Sequence, residues 1–153
     1  LADRLRAFSE KFGVQVFLEP GEASITKTAS LEVTVLDVIH NGKDVAIVDS
    51  SIEAHMLDLL IYRETAKLPQ DGDHAYQIAG KTCLAGDIFG EGRFPQPLQI
   101  GDRISIADAA GYTMVKKNWF NGVAMPAIAI REENGTIREV RRFSYDDYKS
   151  SLS

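Results

Sequence analysis

The residues best suited to chemistry lie in Gly80-Lys81-Thr82-Cys83-Leu84-Ala85-Gly86-Asp87, which holds the only cysteine of the chain. Two glycines bracket that cysteine and an acid follows it by four residues. Glycine's backbone freedom makes this a shaped loop that presents a thiol and a carboxylate. A second group surrounds Glu19-Pro20-Gly21-Glu22, two carboxylates in a turn-forming cluster. A third is Asp58, which with Glu53 and His55 would form the polar side of a short helix whose apolar face carries Ile52, Met56 and Leu59. Ala109-Ala110-Gly111-Tyr112 is a small-residue approach that ends in an aromatic hydroxyl. Glu53, His55 and Asp58 fall short of the four ligands usual at structural zinc, so no metal is expected. Gly86, Gly90 and Gly92 do not make a GxGxxG phosphate loop, and no helical pattern follows them.

The elements that must position these groups change character along the chain. Leu1, Leu5, Phe8 and Phe12 mark one apolar face of a helix over residues 1–12, with Gly13 where a helix-ending glycine belongs. Val14 to Leu18 reads as a short buried strand. Helix followed directly by apolar strand is the ending of an α/β repeat, and barrel enzymes place their chemistry at such strand ends. The pattern then turns to strands. Leu31 to Ile39 and Val45 to Val48 flank Asn41-Gly42, a two-residue hairpin signal. Residues 63–74 read as an exposed connection. Strands are expected at Tyr76 to Thr82 and after Gly101-Asp102. A last hairpin should turn at Asn134-Gly135, followed by a helical turn capped by Ser144 with Asp147 at its third position.

Composition bounds the rest. A chain of 153 residues, 44% hydrophobic and 25% charged, is large enough for one domain with a real core. A formal net charge of -5 and the absence of a basic block argue against nucleic acid as partner. Arg141-Arg142 reads as a solvated strand face. No apolar run is long enough for a membrane span. One cysteine forms no internal disulfide, so a reducing cytoplasm is the default expectation. The chain opens inside a helix-like segment without methionine, which suggests a piece of a longer polypeptide.

Three separated motifs carry a family resemblance: Glu19-Pro20-Gly21, Cys83 with Asp87, and Gly111-Tyr112 followed by Phe120-Asn121-Gly122. In this order they resemble the C-terminal part of the fold-type III, alanine-racemase-like decarboxylases that use pyridoxal 5'-phosphate, a group that includes ornithine and diaminopimelate decarboxylases. The stretches Glu19 to Ala23, Glu53 to Asp58, Gly80 to Asp87 and Lys116 to Gly122 are similar to the polyamine-forming branch, whose substrates are carboxylated triamines. The resemblance implies a mainly β fold. Residues 1–22 would end a pyridoxal-phosphate-binding (β/α)8 barrel, and residues 23–153 would form a C-terminal antiparallel β-sandwich or barrel.

It also implies roles. Glu19 would face the ring nitrogen of the cofactor, with Gly21 and Tyr112 also cofactor-binding and the Tyr112 hydroxyl at the phosphate. Cys83 would protonate the substrate carbon after carbon dioxide leaves, since a thiol gives up a proton readily in suitable surroundings. Glu22 and Asp58 would bind substrate ammonium groups through charge-assisted hydrogen bonds. Asp87 would bind substrate, hold the loop or make a subunit contact.

Three departures matter. Most relatives carry arginine where Glu22 stands, usually proline where Leu57 stands, and, in ornithine and diaminopimelate decarboxylases, an acid where Leu84 stands. The family's Schiff-base lysine and most of its barrel lie before Leu1, so the chain is expected to be inactive alone. A homodimer is implied, with the cysteine loop and the tyrosine acting across the interface. The rival readings are a diaminopimelate or ornithine decarboxylase, disfavoured by Leu84 and Glu22, and a non-catalytic amine-binding β domain, which would need neither Cys83 nor Glu19.

Overall fold

Alternation along β1 (Ser30–His40) sets the frame of the molecule. Leu31, Val33 and Val35 turn into the core while Glu32 faces out. The register against β2 shifts between Val35 and Asp37, and beyond that point Leu36 and Ile39 are exposed. A bulge of this kind bends a strand, so the far half of the hairpin leaves the core. The turn onto β2 (Asp44–Val48) uses three residues, 41–43, rather than the expected two, with Gly42 at φ 70. This computed structural model describes residues 1–152.

Three further strands complete a five-stranded sheet in the order β4-β3-β2-β1-β5: β3 (His74–Ala79), β4 (Ile88–Phe94) and β5 (Arg103–Ala107). Its pairs are antiparallel except β2–β3, which is parallel. The parallel pair follows from the crossover between those strands, which carries helices and reverses no direction. β4 was not expected, because Gly90 and Gly92 weaken its strand signal. Both glycines mark close approaches: a Cβ at Gly90 would press on Thr65, and one at Gly92 on the Phe94 ring.

Residues 63–74 correct the expectation of an exposed connection. Lys67 bridges to Ala107 at the end of β5, and Gln70 bridges to Arg93 in β4. The Ala66 N–H donates to the Phe89 carbonyl at 2.7 Å and the Arg93 N–H to the Pro69 carbonyl at 2.8 Å. This segment therefore covers both edges of the sheet and closes it on itself, and Ala66 and Leu68 are buried in the seam. Inside lie Val33, Val35, Val48, Ile78, Phe89, Ile104 and Ile106, all at most 1% exposed. Each such side chain contributes roughly 1.5–3 kcal/mol of burial.

The crossover carries two helices, α2 (Ile52–His55) and α3 (Leu57–Tyr62), where one was expected. Met56 breaks them at φ -138, ψ 44. Ser51 caps α2, accepting from the Ala54 N–H. The break changes which side chains face inward: Ile52 and Met56 are buried as expected, yet so are His55 and Asp58, assigned above to a polar outer face.

The ends of the chain stand apart from the sheet. Helix α1 (Ala2–Phe12) ends on Gly13 at φ 62, as its sequence indicates. Val14 to Leu18, however, forms no strand, and Phe17 and Leu18 are 78% and 61% exposed. A strand needs a neighbour for its backbone and cover for its side chains, and no strand among the described residues lies beside it. At the other end, β6 (Ile128–Arg131) and β7 (Ile137–Arg141) form the expected hairpin as a separate two-stranded sheet. Ser144 caps α5 (Tyr145–Ser150) in a capping box with Asp147. Trp119 packs edge-on against Phe143 and tilted against Tyr148, tying this end to the turn at Phe120–Gly122.

Candidate active site

A cleft of about 340 Å³ opens between the crossover helices, the sheet seam and α4 (Tyr112–Lys116). Each wall has a local cause. Glu22 stands on a 3-10 turn, Gly21–Ser24, whose end is held by the Ile25 and Thr26 N–H groups donating to the Glu22 carbonyl at 2.9 and 3.0 Å. Gly111, at φ 60, lets this turn approach the start of α4: a Cβ there would press on Ile25 and touch Glu22. Only glycine fits that contact with that backbone. Tyr112 follows immediately and lines the same cleft.

Asp58 is the buried acid of the cleft, 6% exposed. Thr113, also buried, donates from Oγ1 to Asp58 Oδ2 at 2.7 Å. Asp58 Oδ1 has no partner among the described residues. A buried carboxylate oxygen left unpaired is costly, so this one is set to receive a donor from outside the chain. Glu64 and Asp108 add two more carboxylates to the lining, against one cation, Lys67. That cation is already engaged with Asp108 Oδ2, and the Lys27 N–H donates to Asp108 Oδ1 at 2.8 Å. These contacts hold the Asp108 carboxyl below its usual range, the Lys27 N–H contributing most, and hold the Lys67 ammonium above its own. The cleft is thus acidic in balance and suits a cation. Tyr62 and Tyr112 supply aromatic walls, and Lys116 places its ammonium 5.1 and 4.9 Å from their ring centres.

Of the residues expected in a site, the fold brings Glu22, Asp58 and Tyr112 together in this one cleft. Tyr112 therefore shares a wall with the same chain's Glu22 and Asp58. Glu19 and Cys83 are absent from the lining. Glu19 is exposed just before the Gly21 turn, and Gly21, at φ 28, has open space where a Cβ would stand. Cys83 is exposed on its own loop, where Asn121 Nδ2 donates to its Sγ at 3.3 Å.

Asp87 requires a correction. Expected at the substrate, it is instead 5% exposed, with both oxygens committed within the protein. Its Oδ1 accepts from the Ile52 N–H at 2.8 Å; its Oδ2 accepts from the Thr82 N–H at 3.1 Å and hydroxyl at 2.6 Å. Gly80 leaves room for that carboxylate, since a Cβ there would collide with it. Asp87 holds the cysteine loop, the second of the roles weighed above.

Below the loop, His55 Nδ1 pairs with Ser50 Oγ at 2.7 Å, and the Ser50 carbonyl accepts from the Lys81 N–H at 3.1 Å. Burial pushes the imidazole down to about 4, so His55 is neutral near pH 7. Sequence reasoning missed Tyr62, Glu64, Lys67, Asp108 and Thr113 in the cleft. Only Thr113, next to Tyr112, had a local signal; the others arrive through the seam and the crossover.

Comparison with known proteins agrees with this architecture. Residues 25–110 match the family model of the pyridoxal-dependent decarboxylase C-terminal sheet domain. A carboxynorspermidine/carboxyspermidine decarboxylase of Herminiimonas arsenicoxydans is 71% identical, covering 99% of this chain and 42% of the relative. A carboxyaminopropylagmatine decarboxylase of Synechocystis is 42% identical, covering 91% of this chain and 38% of the relative. The crystal structure of carboxynorspermidine decarboxylase complexed with norspermidine from Campylobacter jejuni superposes with a TM-score of 0.83 at 39% identity, covering 95% of this chain and 44% of that one. The chain thus spans less than half the length of these relatives. With the closed sheet, the motif order and the family model in agreement, this chain belongs to the pyridoxal-dependent decarboxylases and carries their C-terminal sheet domain.

Proposed function

We propose that this chain is the C-terminal part of a pyridoxal-phosphate-dependent enzyme that decarboxylates carboxynorspermidine or carboxyspermidine to norspermidine or spermidine. The observation that carries the reading is the acidic cleft, where Asp58 keeps a buried oxygen free beside Glu22. A carboxylated triamine carries ammonium groups beyond its reacting amine, and two carboxylates in one cleft can fix them in orientation. Identity of 71% with the Herminiimonas relative along 99% of the chain supports the same substrate class.

The acceptor and donor groups present fit the cofactor in kind. Glu19 offers an exposed carboxylate for a ring N–H and Tyr112 a half-exposed hydroxyl for a phosphate oxygen, with the open backbone at Gly21 between their segments. Pyridoxal phosphate supplies the electron sink that lets carbon dioxide leave. Glu22, in the position of the family's arginine, would repel a phosphate and takes an ammonium instead. Cys83 then delivers the proton to the substrate carbon. Because Cys83 lies outside the cleft of its own chain, the reading includes a homodimer in which the loop serves the partner's site. Residues 1–22 would belong to the end of the barrel and residues 23–153 to the sheet domain. The Val14 to Leu18 stretch, in which Val14, Phe17 and Leu18 are exposed, supports that division. With the rest of the barrel outside this chain, the chain alone has no turnover, and the enzyme works in the cytoplasm.

The test is to supply full-length enzyme and pyridoxal phosphate with carboxynorspermidine, carboxyspermidine, carboxyaminopropylagmatine, diaminopimelate and ornithine in parallel. The two carboxylated triamines should have the highest kcat/KM. Preference for diaminopimelate or ornithine would sink the assignment, and preference for the agmatine derivative would move it to the Synechocystis relative's activity.

A further inference from the structure

The turn at Phe120–Gly122 presents one side chain to the cysteine. Asn121 Nδ2 donates to Cys83 Sγ at 3.3 Å, although the two residues are 38 apart in sequence. Asn121 sits at φ 54, ψ 18, in the left-handed region, which asparagine enters more readily than most residues. Asn118 moors the turn: its N–H donates to the Ala54 carbonyl at 2.7 Å, its Nδ2 to the Glu53 carbonyl at 3.0 Å, and its Oδ1 accepts from the Phe120 N–H at 2.7 Å. The cysteine loop has its own mooring, Asp87 on the Ile52 N–H. Both moorings end on α2. That short helix is the common base on which the thiol and the amide are set against each other.

We infer that Asn121 is a catalytic residue that orients the Cys83 sulfur and stabilises the anion left there when its proton is delivered. This rests on the reading of Cys83 as proton donor. In that step the electron pair on the carbon that lost carbon dioxide forms the new C–H bond. The S–H bond breaks and its pair stays on sulfur. An amide N–H donates weakly to a thiol and far more strongly to a thiolate. The contact therefore strengthens as the proton leaves, which is when it lowers the barrier. Water can return the proton afterwards, since Cys83 is exposed.

Two variants of the full-length enzyme isolate the amide. Asn121→Gly keeps the left-handed backbone, which glycine adopts freely, and removes the donor. Asn121→Asp keeps the side chain's shape and places an anion beside the sulfur, so it also serves if glycine loosens the turn. Loss of one donor to a developing anion should lower kcat by about 10-fold in Asn121→Gly and about 100-fold in Asn121→Asp, with KM within about 2-fold. Neither substitution should lower kcat further in a Cys83→Ala background. Independently of turnover, alkylation of Cys83 by iodoacetamide, followed by mass spectrometry of its peptide, should slow by about 3-fold or more, because the thiolate is the reacting form. Equal losses of kcat with and without the thiol would overturn the inference, as would unchanged kcat and alkylation in cofactor-loaded variants. Undiminished turnover in Cys83→Ala itself would overturn the proton-donor reading, while slowed alkylation would still report the contact.

Discussion

The acidic cleft draws its walls from four separate parts of the chain: the Gly21–Ser24 turn, the crossover helices, the sheet seam and α4. The cysteine loop closes on itself within residues 80–87, around one buried carboxylate. The cleft has a vacant acceptor and no thiol; the loop has a thiol and no vacant acceptor on Asp87. The vacant carboxylate oxygen and the thiol are thus held by separate parts of the fold and, within one chain, kept apart. The difference teaches that the two sets of residues can be altered one at a time, and that, on the proposed function, bringing them together calls for a second subunit.

The largest effect should come from removing the thiol. Cys83→Ala is expected to lower kcat by about 10²- to 10⁴-fold, the usual worth of a positioned proton donor, with KM and cofactor absorbance unchanged. Asp58→Asn should act on the other half, raising KM for the triamine by roughly 100-fold, as expected when one partner of a buried charge pair is lost. Mixing these two variants tests whether the halves meet across a dimer. If subunits pair at random and the loop serves its neighbour, about one-quarter of the sites are intact and that share of activity returns. If loop and cleft serve the same chain's site, mixing restores nothing.

Stability offers a further contrast, because the loop rests on a buried imidazole. His55 is pushed down to about 4 in the folded state, against 6.5 when free. Its contribution is therefore complete above about pH 6.5 and is lost as the pH falls through 4, roughly 3 kcal/mol in all. Urea unfolding of the full-length enzyme between pH 4 and 8 should show this slope, and His55→Gln should flatten it. The smallest effect belongs to Lys67→Met, which removes an exposed ion pair at the cleft. It should change KM by less than about 3-fold, because such pairs contribute little; a large rise would mean that Lys67 takes part in recognition.

Local features were the most legible. The Gly13 helix stop, the Ser144 capping box and the hairpin at Asn134-Gly135 each depend on residues within a few positions of one another. Strand β4 was hidden because its glycines serve a packing need set by Thr65 and Phe94. The burial of His55 and Asp58 was hidden because a break at Met56 re-aims a face that helical spacing assigns to solvent.

By itself the sequence determined the loop's composition, the order of the family motifs and the presence of Glu22 and Leu84 within them. These are properties of residue type and short-range spacing, and short-range chemistry is written in the chain directly. Only the tertiary structure decided that Asp87 braces the loop, that Tyr112 shares a cleft with Asp58, and that Asn121 meets the thiol. Each depends on contacts between distant segments, brought about by closing the sheet and setting α2 beneath two loops. Burial and the satisfaction of polar groups are fixed by that closure, and they decide which carboxylate stays free to bind.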